Sequence, residues 1–199
     1  MKIPDSIKPF VDEFSKLPGI GPRQVIRLAY YLANRKQITA NIAGAIQKIQ
    51  ELKICPLCFL AHDNKEDLCS ICSDNERNKN LIAITEKETD LISIEAIKKY
   101  NGVYLCLGEV KKTGKLDENQ KIKLDALKIR GANLPENKFE EIIIAFSPTT
   151  AGDISAEIIA EYLRGVAIKI TRLGRGIPIG GEVEFTDVDT LQEALESRK

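Results

Sequence analysis

Leu81-Ile82-Ala83-Ile84-Thr85-Glu86 is a short apolar run closed by an acid. It reads as a buried strand, and the pattern around it decides the fold. Toward the C-terminus, helical spacing fills 88–99 and another apolar run stands at 103–107. Ile142-Ile143-Ile144 anchors a third strand between Glu140 and Phe146, followed by a helix near 152–164 and a strand at 166–172. Strands that alternate with helices indicate a parallel or mostly parallel α/β sheet. Residues 108–138 are polar and weakly patterned, and are expected to decorate the edge of that sheet. The chain then reads as a Gly-rich loop at 174–181, a strand at 182–186 and a final helix from about 188.

Toward the N-terminus the period changes. Ile7, Phe10, Val11, Phe14 and Leu17 form one helical stripe, which ends in the breaker-rich turn Leu17-Pro18-Gly19-Ile20-Gly21-Pro22. A second helix carries Val25, Leu28, Ala29 and Leu32 on one face, with Arg23, Arg27 and Arg35 elsewhere. A third is expected from about Thr39, as N-cap, through Ile42, Ile46, Ile49 and Leu52. The first 54 residues therefore read as a small helical unit.

A chain of 199 residues buries roughly 70% of its unfolded surface, enough for a core without staples. No apolar run approaches the roughly 20 residues of a membrane span. The opening MKIPDSIKPF lacks the apolar centre of a signal peptide, so a cytoplasmic location is expected. In that compartment the five cysteines are thiols or metal ligands rather than disulfides. The formal net charge is zero, yet residues 1–54 hold nine Lys or Arg against four Asp or Glu, a local excess of five. Phosphates within a Debye length of that face do not sense the acidic remainder.

Between the two regions stands Cys55-x2-Cys58-x10-Cys69-x2-Cys72. Each Cys-x-x-Cys places two thiolates on a tight turn, and two turns supply the four corners of a tetrahedral site for one Zn2+ per chain. Four protein sulfurs leave no position for water or substrate, so such zinc is structural. The competing reading is a redox pair or unrelated thiols. His62, the only histidine, lies between the pairs and reads as a loop residue. Cys106, beside Tyr104, Leu105 and Leu107, reads as a small buried hydrophobe.

The turn at 17–22 resembles the helix–hairpin–helix motif, which grips the DNA backbone without reading bases. Gly19 and Gly21 let a strand approach the main chain. The second helix then offers N–H groups and a positive dipole end. Lys16, Arg23 and Arg27 add mobile charge. The plainer alternative is an αα-hairpin with a breaker-rich turn.

Glu86 closes the first strand, Asp90 follows on the next helix, and Asp153 follows the third strand in Phe146-Ser147-Pro148-Thr149-Thr150-Ala151-Gly152-Asp153. Acids after two strands resemble the Toprim fold of topoisomerases, primases and some nucleases, where they hold Mg2+ for phosphoryl transfer. Those enzymes pair the Glu with Asp-x-Asp; here Ala151 stands two residues before Asp153. The acids therefore read as helix-starting and solvating residues, with a weak Mg2+ site at Glu86 and Asp153 as the alternative. No phosphate-binding Gly-x4-Gly-Lys-[Ser/Thr] loop is present.

The order of helical hairpin, four-cysteine loop, Toprim-like sheet and Gly-rich tail resembles the RecR family of bacterial recombination mediators. The stretches that carry it are LPGIGPRQVIRLAYYL (17–32), the cysteine loop, and TRLGRGIPIGGEVEFTDVDTLQEAL (171–195). The tail is the most specific, with Arg-x-x-Arg-Gly-x-Pro-x-Gly-Gly and a later Asp-x-x-Thr-Leu. The family's Glu-Gly-Glu after the third strand is replaced by Ala151-Gly152-Asp153.

The resemblance implies an α/β multidomain protein. Its parts are a helix–hairpin–helix DNA-binding region (1–54), a C4-type zinc finger (55–72), a Toprim-like domain (80–175) and a C-terminal strand–helix assembly segment (176–199). It implies a non-enzymatic mediator of recombinational DNA repair, clamping double-stranded and gapped DNA as a homodimer or homotetramer. Partners of the RecO type, and of the RecF type as a second, would help it load recombinase. The rival classes are a Mg2+-dependent nuclease-like Toprim enzyme and a zinc-containing protein adaptor.

Overall fold

A computed structural model describes residues 3–111 and 115–198. The chain divides into two compact units, Met1–Leu52 and Lys53–Lys199. In the first, a 3₁₀ turn at Asp5–Ile7 leads into α1 (Lys8–Phe14), followed by α2 (Pro22–Ala33) and α3 (Lys36–Ile49). Pro22 stands at the first turn of α2, where its missing N–H costs nothing. Val25 and Ala29 are buried on α2, and the Phe10 and Phe14 rings stack 4.0 Å apart. Helix α3 begins earlier than the sequence predicts. Thr39 is not its cap: its hydroxyl donates to the Leu32 carbonyl (2.8 Å) and lies close to the Arg35 carbonyl (3.0 Å) from inside the helix.

The second unit opens with a two-stranded antiparallel ribbon, β1 (Lys53–Ile54) with β2 (Ala61–His62), and a single helical turn, α4 (Ser70–Ser73). Its body alternates β3 (Leu81–Thr85), α5 (Glu88–Ala96), β4 (Val103–Cys106), α6 (Glu118–Ala132), β5 (Phe139–Ala145), α7 (Thr150–Tyr162) and β6 (Ala167–Arg172). The four long strands form one parallel sheet in the order β4-β3-β5-β6, with Ile82 opposite both Val103 and Ile142. Ile82, Ile84, Ile142 and Ile144 meet Leu124 and Leu127 of α6 and Ile159 of α7 in one core. Ala83 and Tyr104, one residue out of phase, meet Leu91 of α5 and the cysteines in another. Burial on both faces explains why these strands read as unbroken apolar runs.

Two stretches depart from the sequence reading. Within 108–138, α6 is no edge decoration: it is a 15-residue helix capped by Asp117, whose carboxylate accepts from the Gln120 N–H at 2.8 Å. Residues 182–186 alternate apolar and polar, but no strand among the described residues pairs with them. They close a 3₁₀ turn at Val183–Phe185 before α8 (Val188–Glu196). No helix among the described residues is long and apolar enough to cross a membrane.

Strand order reverses at β3, because the chain passes from β3 outward to β4 and then returns to β5 on the other side. The carboxyl ends of β3 and β5 flank that switch point, which in open parallel sheets is where ligands bind. Glu86 follows one, and the 146–149 loop with the first turn of α7 follows the other.

Candidate metal centre and nucleic-acid interface

Cys55, Cys58, Cys69 and Cys72 converge, with all four sulfurs within 4.8 Å of one another and every residue buried. Local turns place them. The Phe59 N–H donates to the Cys55 carbonyl (2.9 Å), with Phe59 itself in the left-handed region at φ 62°. On the second turn the Cys72 N–H donates to the Cys69 sulfur (3.4 Å). The Cys58 and Cys69 sulfurs are 3.5 Å apart, far beyond a disulfide's bond of about 2.05 Å. Zn–S bonds of about 2.3 Å at tetrahedral angles set sulfurs about 3.8 Å apart. The cluster therefore fits a four-coordinate metal ion with little adjustment.

The thiols share protons unequally. Burial pushes Cys55 up, but backbone hydrogen bonds from Cys69, Cys58 and Leu57 outweigh it and bring the thiol to about 7. A hydrogen bond to Cys72, then burial, push Cys58 strongly up, and burial pushes Cys69 up to about 11. Such a set binds a cation by giving up protons to solvent. His62 stands outside it: the Asn64 N–H donates to Nδ1 (3.3 Å) and Nε2 donates to the Asp67 carbonyl (3.2 Å). Both ring nitrogens are thus spent on the loop. The loop also covers the sheet edge, because the Cys106 N–H on β4 donates to the Cys58 carbonyl at 2.8 Å.

In the helical unit, Gly19 has φ +79°, a conformation that excludes most side chains, whereas Gly21 has an ordinary φ of −80°. The Gly21 N–H is engaged by the Gln24 side chain (3.2 Å). Those of Gly19, Ile20 and Arg23 have no acceptor among the described residues. Lys16 is paired with Glu13 at 2.8 Å. Arg23 and Arg27 are exposed and form no ion pair among the described residues. Arg35 stacks over the Tyr31 ring at 3.9 Å.

The acids at the switch point do not assemble. Among the described residues the four cysteines are the one convergent group of three or more metal-ligating side chains. Glu86, Asp90 and Asp153 are therefore not gathered around a common point. Burial, then the neighbouring Asp90, raises Glu86 above the ordinary carboxylate range. Asp90 accepts from the Lys87 N–H at 3.0 Å and caps α5. Asp153 is held by Arg172 and Arg175, which both donate to its Oδ1, and the Arg172 hydrogen bond holds its carboxyl below the ordinary range. The three side chains border a cleft of about 400 Å3 together with Thr150 and Asp189.

That clamp explains the Arg-x-x-Arg of the tail, which sequence reasoning recognises as a pattern without a physical cause. The Asp-x-x-Thr-Leu that follows is a helix start, with Asp187 accepting from the Thr190 N–H at 2.9 Å. Sequence reasoning misses Arg77 and its pairing with Glu95. The two residues form an ion pair that ties the exit of the cysteine loop to α5, and the Tyr104 hydroxyl adds a hydrogen bond to Glu95 at 2.8 Å.

Residues 80–174 match the family model of the Toprim domain, and residues 176–199 match that of the RecR C-terminal region.

Proposed function

Because this chain belongs to the RecR family, we propose that it serves recombinational DNA repair as a non-enzymatic, DNA-binding mediator. The observation that carries the reading is the corner at the start of α2. Exposed Arg23 and Arg27, free of ion pairs among the described residues, stand beside N–H groups that have no protein acceptor there. Such a corner suits a sugar–phosphate strand, with binding that depends on salt and ignores sequence. Lys16, Gly19 and Gly21 complete it.

One site of this kind is weak, and assembly multiplies it. Apolar surface favours a homodimer or homotetramer: Ile38, Ile42, Ile46 and Ile49 follow one another along α3, all exposed. Ile179, Phe185 and Val188 of the tail are also exposed. The assembled clamp would hold double-stranded or gapped DNA while a RecO-type partner, and a RecF-type partner as a second, direct recombinase onto it. The cysteines would hold one structural Zn2+, since all-sulfur donation leaves no open coordination position. When bound, the ion supplies cross-linking of the loop rather than reaction chemistry.

The test is an anisotropy titration of a gapped duplex across a potassium chloride series. Losing Arg23 and Arg27 together should flatten the log–log slope by about 0.9 for each phosphate contact removed. An unchanged affinity and slope would overturn the proposal.

A further inference from the structure

Four thiolates meet at low cost only if both cysteine turns hold their shape before an ion arrives, since ordering them on binding subtracts from affinity. Within each turn the main chain does part of this. The Cys55 N–H donates to the Leu60 carbonyl (2.9 Å) on the first, and the Ser73 N–H donates to the Cys69 carbonyl (3.0 Å) on the second. Two half-buried lysines outside the turns do the rest.

Lys79 stands in the stretch between α4 and β3. Its ammonium donates to the carbonyl of Cys72 itself at 2.9 Å and to that of Asp74. Two of its N–H groups thus grip the main chain as it leaves the second turn.

Lys123 reaches the first turn from α6. Its Nζ donates to the Cys106 carbonyl at 2.9 Å and to the Leu107 carbonyl at 3.3 Å. On the other side of the same residue, the Cys106 N–H donates to the Cys58 carbonyl at 2.8 Å. The ammonium also stands 5.1 Å from the centre of the Phe59 ring, within cation–π range. Phe59 directly follows Cys58, and its left-handed backbone turns the chain back. Lys123 therefore meets the first turn by two routes, one through Cys106 and one through the ring. Hydrogen bonds from an ammonium are roughly twice as strong as neutral ones.

We propose that Lys79 and Lys123 are positioning residues of the metal centre, one for each cysteine turn. Neither ligates the ion. Each holds a turn in the shape that presents its two sulfurs, so the site is formed before metal enters and the ion is slow to leave. The assignment rests on the reading of the cysteines as a zinc site. It adds two residues that the cysteine spacing does not announce.

Competition between full-length protein and a chromophoric chelator for Zn2+ gives affinity and release rate. Co2+ substitution reports the ligand set through its thiolate charge-transfer bands. Lys79→Met and Lys123→Met keep the apolar stem and remove the donors. Each should lower zinc affinity about tenfold, as loss of an outer partner does, and speed release with the cobalt spectrum unchanged. Lys128→Met is the control on α6 and should match wild type, because Lys128 meets Asp125 (3.5 Å) and the Tyr162 ring (3.7 Å) instead.

If wild type takes up no Zn2+ and gives no thiolate bands, the zinc reading fails and the assignment falls with it. If wild type binds, affinity within twofold of wild type in either lysine variant overturns the assignment alone. So does equal destabilisation with and without metal, which marks plain packing, or an equal loss in Lys128→Met, which marks a general effect of charge. Should one of the two variants not fold, the other carries the test.

Discussion

Arg172, the last residue of β6, donates to Oδ1 of Asp153 in the first turn of α7. Arg175 donates to the same oxygen from the strap that follows. A divalent cation would have to displace two guanidinium groups to use this carboxylate, and Glu86 does not share a three-carboxylate cluster with it. Magnesium-dependent cleavage should accordingly be absent. Supercoiled DNA incubated with millimolar Mg2+ stays closed, and Glu86→Ala leaves DNA affinity unchanged. Nicking that disappears in Glu86→Ala would reverse this conclusion. Asp153→Asn should loosen the strap, read as faster limited proteolysis within 173–181 at neutral pH.

Two carboxylates of the Toprim domain respond to acid with opposite signs. The Arg77 hydrogen bond holds Glu95 below its ordinary 4.5. Its stabilisation is therefore present above 4.5 and is lost as pH falls through the depressed value. Glu86 is raised above 4.5 by burial and then by Asp90. Its contribution favours folding below 4.5 and is lost as pH rises through the raised value. At pH 7, then, Glu86→Gln should raise the melting temperature and Glu95→Gln should lower it. Arg77 is only 14% exposed and Glu95 32%, so breaking that pair should cost about 1–3 kcal/mol, less than a fully buried pair. Thermal melts of both variants between pH 3.5 and 7, and a shift of the same sign in each, would contradict this assignment.

The apolar runs of β3, β4 and β5 are legible from sequence because strands covered on both faces must be apolar at consecutive positions. The edge strand β6, by contrast, leaves Ile168 and Lys169 exposed. Helix α6 is not legible, for a reason visible in its burial. Its buried face is Gln120, Leu124, Leu127 and Gly131, while Ile122 and Ile129 face solvent. A polar residue and a glycine inside, with isoleucines outside, erase the helical stripe. The cysteines announce themselves because metal geometry forces close spacing within each pair. Arg172 and Glu95 leave no such trace, since their partners lie a helix or a strand away. The alternation at 182–186 mimics a strand, and only the lack of a pairing neighbour reveals the turn.

Gly152 sits where the third strand's loop enters α7, and a Cβ there would overlap the Ser147 carbonyl oxygen. That oxygen belongs to the main chain and cannot swing aside. The Gly152 N–H also closes the helix cap on Thr149 at 3.1 Å. Gly152→Ala should therefore cost about 1–3 kcal/mol by overpacking, despite the higher helix propensity of alanine. Urea denaturation would measure it, and a neutral or stabilised variant would show that the 147–149 loop yields freely.

Metal removal should expose the cysteines in a set order. Cys106 lies on β4 with 1% of its surface exposed, and burial followed by the charge of Glu88 pushes its thiol up to about 11. At pH 8 only about a thousandth of such thiols are ionised, and the thiolate is the reactive species. The four loop cysteines are protected differently, by each other and by the ion they are proposed to hold. With zinc in place, iodoacetamide should modify none of the five cysteines quickly. After chelation, Cys55, with its thiol near 7, should react first, the rest of the loop next, and Cys106 only on global unfolding. Peptide mass mapping after timed quenching gives the order. Early modification of Cys106, or identical labelling of Cys55 with and without chelator, would mean that the loop does not depend on a metal ion for its closure.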